Sequence, residues 1–326
     1  MKRRQFFALL GGAAATWPLA ARAQQSTPPV IGFMSSRSPE DSQTVLAALR
    51  KGLSEGGLVE GKNFVVEFRW ARGDFGQLPA FAAELVNNRV AVIVAAGGDV
   101  SGLAAKAATS TIPIVFGSGD PIKTGLVASL NRPGGNATGV YILGNALESK
   151  RLGLLHELFP SAALFGVLLN PEFPPTTQGA LELRATASAI GQPLTFLNAS
   201  TDAELDAAFA ALTKQHVTAM LTVANPFFDT RRDKIITFAA QQKLPTMYHF
   251  REYVMEGGLM SYGPSLGEAC REVGVYAARI LNGARPSDLP VVVSTKLELV
   301  INPKTAKTLD FEFPATFIAR ADDVID

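Results

Sequence analysis

From residue 30 onward, short uninterrupted apolar runs alternate with longer stretches whose apolar residues recur every three or four positions. Val30 to Met34, Val90 to Ala95 and Ile112 to Phe116 have no polar side to turn toward water. A strand of this kind must be covered on both faces, which is what a parallel sheet sandwiched between helices provides. Asn63 to Trp70 reads as a further strand, and Ser42 to Glu55, Gln77 to Asn87 and Val100 to Ala108 read as the helices between them. The first half is therefore expected to be an α/β layer domain.

The rhythm begins again at Leu147. Leu147 to Phe159 is expected as a helix, Leu164 to Leu169 as a strand, Thr176 to Ile190 as a helix and Leu194 to Asn198 as a strand. The helix Asp202 to Gln215, the strand Ala219 to Val223, the helix Thr230 to Gln242 and the strand Leu244 to Tyr248 follow. Beyond them, Leu259 to Tyr262 is a strand, and Leu266, Cys270, Val273, Ala277 and Ile280 mark one face of a helix that stops at Asn282-Gly283. Pro290 to Ser294 and Leu297 to Ile301 are late strands. Two such passes predict two lobes, each a parallel sheet flanked by helices. The chain is expected to cross between them near Tyr141, Gly257 and Ser294. Residues 28–140 with 260–293 would form one lobe, and 141–259 with 294–326 the other.

A length of 326 residues suits two domains, and a chain with 47% hydrophobic and 18% charged residues has ample material for packed cores. Thirty basic against 29 acidic residues leave +1. Four of those basic residues, Lys2, Arg3, Arg4 and Arg22, lie in an N-terminal segment without an acid, so the remaining 26 against 29 leave about −3 for the body. No basic excess is available for a phosphate backbone, and a nucleic-acid partner is not expected. The single cysteine, Cys270, excludes an intrachain disulfide and cysteine-rich metal sites.

Residues 1–23 follow the order of a bacterial export signal. A basic head, Met1 to Arg4, precedes an uncharged run from Phe6 to Ala20 and a small-residue end, Ala21-Arg22-Ala23, with cleavage expected after Ala23. The run is interrupted by Gly11, Gly12 and Pro18 and is shorter than the roughly 20 residues that span a bilayer. Arg3-Arg4-Gln5-Phe6-Phe7 resembles a twin-arginine signal, and an ordinary secretory signal is the other reading. Either route predicts a periplasmic protein, and no cysteine near the cleavage point marks a lipid anchor.

In open α/β sheets, ligands bind at the carboxyl ends of the strands. Here those ends are Ser35-Ser36-Arg37-Ser38, Gly97-Gly98-Asp99 and Gly117-Ser118-Gly119-Asp120-Pro121 in the first half, and Asn170-Pro171-Glu172-Phe173 and Asn225-Pro226-Phe227-Phe228-Asp229 in the second. From these, Ser35, Ser36, Gly97, Gly98, Asp99, Ser118, Asp120, Asn170, Phe173, Asn225, Phe227 and Phe228 are candidate ligand contacts, together with Tyr248 and Arg251 further on. The structural alternatives are equally concrete. Ser35, Ser36 and Asp99 suit helix capping, Asp120 a turn before Pro121, Phe227 and Phe228 the core, and Arg251 a surface ion pair. If the candidates do bind, Ser36 and Arg251 would hold an anion from opposite sides of a cleft, and Phe173, Phe227, Phe228 and Tyr248 would cover an apolar or aromatic body.

Catalytic patterns fail on context. G-x-S-x-G occurs at Gly52 to Gly56, closing a helix, and at Gly263 to Gly267, but no histidine follows Ser265 as the hydrolase order requires. Gly56 to Asn63 falls short of a phosphate loop, since it ends in Asn63 and precedes a strand. His156, His216 and His249 are scattered, so no catalytic function, cofactor or metal site is expected.

Several ordered motifs carry a family resemblance. Gly57-Leu58-Val59-Glu60-Gly61-Lys62-Asn63, Thr111 to Phe116, Asp120-Pro121 with Gly125-Leu126-Val127, and Arg132-Pro133-Gly134-Gly135-Asn136 with Thr138-Gly139 are the first of them. Gly257 to Gly263, Ile280 to Pro286 and Leu297 to Asn302 continue the series. Together they resemble the tryptophan-binding-like branch of periplasmic ABC transporter substrate-binding proteins over essentially the whole mature chain. The resemblance implies a type I periplasmic-binding-protein fold with three hinge crossings. It also implies service to an ATP-driven importer through an inner-membrane ABC permease. The serine-rich and glycine-rich strand ends and the aromatic residues near them predict the cargo, a small carboxylate with an apolar or aromatic body, an amino acid or aromatic acid, and a monomer is expected. A ligand-sensing subunit serving a membrane receptor is the alternative. Where that branch often has threonine after the third strand, this chain has Gly97-Gly98-Asp99, whose aspartate would either hold a ligand ammonium or cap its helix.

Overall fold

The computed structural model describes residues 28–173 and 176–325; the expected export signal lies outside them. Strand β1 (Val30–Ser35), helix α1 (Gln43–Glu55), β2 (Val65–Trp70), α2 (Leu78–Asn87), β3 (Val92–Ala96), α3 (Asp99–Ala108), β4 (Ile114–Ser118) and β5 (Ala137–Tyr141) come first. Then follow α4 (Glu148–Leu158), β6 (Phe165–Leu169), α5 (Thr176–Ile190), β7 (Leu194–Asn198), α6 (Asp202–Lys214) and β8 (Ala219–Thr222). The short α7 (Pro226–Asp229), α8 (Arg232–Gln241), β9 (Thr246–Tyr248), α9 (Arg251–Met255), β10 (Met260–Pro264) and α10 (Leu266–Leu281) lead to the C-terminal part. That part holds β11 (Val292–Val293), β12 (Leu297–Ile301), α11 (Pro303–Thr308), α12 (Ala315–Ile318) and β13 (Asp323–Val324).

The strands form two sheets, ordered β11-β5-β4-β3-β1-β2 and β13-β12-β10-β9-β8-β6-β7. All their pairings are parallel except β10 with β12. The period of two along each buried strand sends alternate residues to opposite faces. Ile31, Phe33, Val92 and Val94 meet Leu49 and Leu53 of α1 and Val273 and Ala277 of α10 on one face of the first sheet. Met34, Ile93, Ala95 and Phe116 meet Leu78, Ala82 and Leu85 of α2 and Ala105 of α3 on the other. In the second sheet Leu168 and Met220 face α6 and α8, whereas Val167 and Leu221 face α4 and α5.

Helices α1 and α10 pack backbone against backbone. A Cβ on Gly274 would stand 2.2 Å from the Leu49 carbonyl oxygen, and one on Gly52 would stand 1.9 Å from that of Arg271. A Cβ on Gly263 would likewise meet the His249 carbonyl at 1.9 Å. Close packing thus accounts for the first glycine of each G-x-S-x-G run.

The placement of residues 260–293 in the first lobe is corrected for its first strand. Strand β10 pairs with β9 and β12, so Met260–Pro264 belong to the second sheet and the passage to the first lobe falls at Ser265, not near Gly257. Gly257, at φ 103°, instead makes a turn inside the second lobe. The other passages run between β5 and α4 and between β11 and β12. The three are tied side by side: Ser294 N–H donates to the Tyr141 carbonyl at 2.9 Å, and Ser265 N–H to that of Lys296 at 3.0 Å. Arg151 is fully buried among them, donating to the carbonyls of Tyr262 at 2.6 Å and Gly144 at 2.7 Å and pairing with Glu148 at 2.9 Å.

Candidate functional site

The carboxyl ends of the two sheets face each other across a cleft with about 800 Å³ of empty space, part of it open to solvent. The first lobe contributes Phe33 and Ser35 from β1, Arg37 just beyond it, Val45 and Leu49 of α1, and the loops Ala96-Gly97-Gly98 and Gly117-Ser118-Gly119. The second contributes Phe173, Ala224, Asn225, Pro226, Asp229 and Phe250. Ile142, Gly144 and Asn145 of the first crossing and Leu266, Cys270 and Val273 of α10 close the hinge side. Most of this wall is apolar, so the few polar groups in it govern what fits.

Arg37 is one of them. It is 5% exposed and forms a buried ion pair across the cleft with Asp229. Asp229 also accepts from His249 Nε2 at 2.8 Å and from the Tyr253 hydroxyl at 3.1 Å. Burial alone would raise the Asp229 pKa, but Arg37 and then His249 outweigh it and hold the carboxyl well below its usual range. Asp229 is the Arg37 guanidinium's one hydrogen-bonded partner among the described residues, although that group carries five N–H donors. Asn225 is 2% exposed; its Oδ1 accepts the Phe227 N–H at 2.8 Å as a helix cap, while its Nδ2 is buried without a partner. The lobes also meet where a Cβ on Gly98 would stand 3.2 Å from Pro226, and Asn145 of the first crossing donates to the Ala224 carbonyl at 3.0 Å.

Six of the expected contacts line this cleft: Ser35, Gly97, Gly98, Ser118, Phe173 and Asn225. Two stand directly behind it. The Ser36 hydroxyl donates to the Gly97 carbonyl, and Asp99 accepts from the Ser118 hydroxyl. The other six are elsewhere. Asp120 caps its turn by accepting from the N–H groups of Ile122 and Lys123, at the edge of a second chamber. Asn170 holds the Glu172 N–H and borders a separate chamber between the lobes. Phe227 and Phe228 are core residues, in edge contact at 5.5 Å, and Tyr248 is buried in a stack with Tyr253 at 4.6 Å. Arg251 pairs with Glu298 at 3.0 Å and Asp323 at 2.5 Å beside the second sheet, so it cannot face Ser36 across the cleft. The arginine in the cleft is Arg37. It and Asp229 stand in strand-end segments already notable in the sequence, and the rule that selects Ser35 and Asn225 reaches them both. Phe250 and the apolar residues of α1 and α10 carried no such signal.

A family model described as ABC transporter substrate binding protein matches residues 38–325. The chain belongs to that family. A tyrosine-binding protein of Clostridioides difficile (strain R20291) is 26% identical over 263 residues, which are 80% of this chain and 75% of that protein. A conserved domain protein from Vibrio cholerae superposes with a TM-score of 0.84 at 26% identity, covering 92% of this chain and all of the other. An ABC domain from Streptococcus pneumonia in complex with L-Trp superposes with a TM-score of 0.83 at 23% identity and the same coverage. This substrate-binding protein has the two-lobed α/β fold of the type I periplasmic binding proteins. Members of the family bind small molecules for ABC transporters and are not enzymes, and proteins of this kind are typically extracellular or periplasmic.

Proposed function

We propose that this substrate-binding protein serves an ABC importer in the periplasm, delivering a small carboxylate with an apolar or aromatic body, most simply an aromatic amino acid. The observation that carries the reading is Arg37, a buried guanidinium in an otherwise apolar wall, with one bond to Asp229 and donors to spare. Its planar fork matches a carboxylate. The partnerless Asn225 Nδ2 supplies a donor from the other lobe, and a buried N–H left without an acceptor costs about 1–3 kcal/mol. A ligand carboxylate between Arg37 and Asn225 would touch both lobes, while Phe33, Phe173 and Phe250 cover its body. The tyrosine and tryptophan in the names of its relatives fit this description.

A thermal-shift screen of the purified protein, refolded once to remove carried-over ligand, tests the reading. A ligand at a hundredfold excess over its dissociation constant stabilises the folded state by about 2.7 kcal/mol, which is easily detected. L-Tyrosine, L-tryptophan or L-phenylalanine should raise the melting temperature saturably. A response confined to sugars or metal ions would overturn the proposal.

A further inference from the structure

The cleft has an unbalanced charge. Arg37 and Asp229 neutralise one another across it, and Lys123 stands 4.0 Å from Asp120 at the rim of the second chamber. Asp99, fully buried at the start of α3, has no cationic partner among the described residues. Its Oδ1 accepts from the Ser118 hydroxyl, and its Oδ2 is buried with no well-formed hydrogen bond, the Gly119 N–H being the one backbone donor that faces the carboxylate. Ser118 lines the cleft, and Gly119 borders both the cleft and the second chamber. A Cβ on Gly119 would stand 2.8 Å from Asp99 Oδ2, so the loop passes close to the carboxylate.

We propose that Asp99, acting through Ser118, is the counter-charge for a ligand ammonium group and restricts the site to α-amino acids against carboxylates that lack the amine. The inference rests on the proposed function, since it supplies the other half of the same ligand. A hydroxyl that donates its proton to a carboxylate turns its lone pairs outward, so Ser118 presents an acceptor to the cleft, strengthened by the charge behind it. An ammonium beside Ser118 satisfies that acceptor and neutralises the buried charge in a medium that screens weakly. A carboxylate without the amine leaves the charge unanswered and adds a second negative group nearby. Burial raises the Asp99 pKa, with the hydrogen bonds from the Ser118 hydroxyl and the Gly119 N–H opposing, as expected of a carboxylate with no cation beside it. Asp99 is thus a positioning residue and Ser118 the contact. The remaining orientation follows, with the carboxylate toward Arg37 and the amine toward the 117–119 loop.

Calorimetric titration of the purified protein with L-tyrosine, with 3-(4-hydroxyphenyl)propionate, which lacks only the amine, and with tyramine, which lacks only the carboxylate, tests this. The protein should prefer L-tyrosine to the des-amino acid by about tenfold or more. Asp99→Asn and Ser118→Ala should each reduce that ratio by about tenfold, whereas a merely structural role would weaken both ligands alike and leave the ratio unchanged. Equal affinity of the unsubstituted protein for the acid with and without its amine would overturn the inference while leaving the proposed function standing. Tight binding of tyramine together with weak binding of both carboxylates would keep Asp99 and overturn the role of Arg37. Binding of none of the three would overturn the inference, and the proposed function with it where L-tryptophan and L-phenylalanine also leave the melting temperature unchanged.

Discussion

At the scale of single residues, two aspartates of the cleft have opposite environments, and acid should act on them in opposite directions. Asp229, with its pKa held down by Arg37 and His249, contributes stability that is present above the ordinary aspartate value of 3.8 and lost as pH falls through its lower folded value. Asp99, with its pKa raised by burial, does the reverse: the unliganded fold is favoured below 3.8 and penalised as pH rises through the raised value. Asp99→Asn should therefore raise the melting temperature of the unliganded protein at pH 7, and the gain should shrink as the pH is lowered toward 4. A constant gain across that range would assign it to packing. Arg37→Ala should weaken carboxylate binding by about tenfold or more, since a charge-assisted hydrogen bond contributes about 1.5–3 kcal/mol. Arg251→Ala should leave affinity unchanged, because its partners Glu298 and Asp323 lie beside the second sheet. Titration of both variants with L-tyrosine compares the two arginines directly.

At the scale of elements, the strands were the most legible part of the sequence, because a fully buried parallel strand cannot hide its composition. β3, β4 and β6 fall within two residues of their expected bounds. β5 was missed, since Ala137-Thr138-Gly139-Val140-Tyr141 is too mixed to announce a buried strand and owes its place to pairing with β4. The site was half legible for a related reason. Polar residues at strand ends are informative, which found Ser35, Ser118 and Asn225. Aromatic residues are not, because Phe227, Phe228 and Tyr248 satisfy the core and a ligand equally well on paper. Which arginine enters the cleft depends on where α9 turns away from it, and that is a property of packing. The α1–α10 contact makes a sharper prediction. Gly274→Ala puts a methyl 2.2 Å from the Leu49 carbonyl, a backbone atom that cannot swing aside. It should cost about 1–3 kcal/mol, the range of overpacked cores, measured as a lower denaturation midpoint with an unchanged slope. Gly267→Ala, in the first turn of α10 with open space around it, is the control and should be neutral.

At the scale of the whole molecule, the Arg37–Asp229 pair is a buried clasp between lobes that are joined by three passages and touch elsewhere at Gly98 and Pro226 and through the Arg232–Asp41 pair. Removing one partner of a buried ion pair commonly costs about 3–5 kcal/mol, because the other is left charged and dry. Parting of the lobes, which lets water reach Arg37, would relieve that cost. Asp229→Ala should therefore enlarge the radius of gyration measured by solution scattering more than it lowers the melting temperature, and saturating L-tyrosine should restore part of the compaction. The interleaving of the lobes has a further consequence, for synthesis. The face of the first sheet formed by Ile31, Phe33, Val92 and Val94 is covered in part by α10, whose residues follow the entire body of the second lobe. Strand β11 joins β5 across a gap of about 150 residues, and the Thr138 hydroxyl bonds the Leu289 carbonyl over the same interval. A nascent chain that has completed residues 30–141 thus leaves one apolar face of its sheet only partly covered, by α1, until residue 293 emerges, and pairings this distant in sequence form slowly. The protein must remain in a holdable, unfinished state through most of its translation, and a chain stopped before α10 has no route to a finished first lobe.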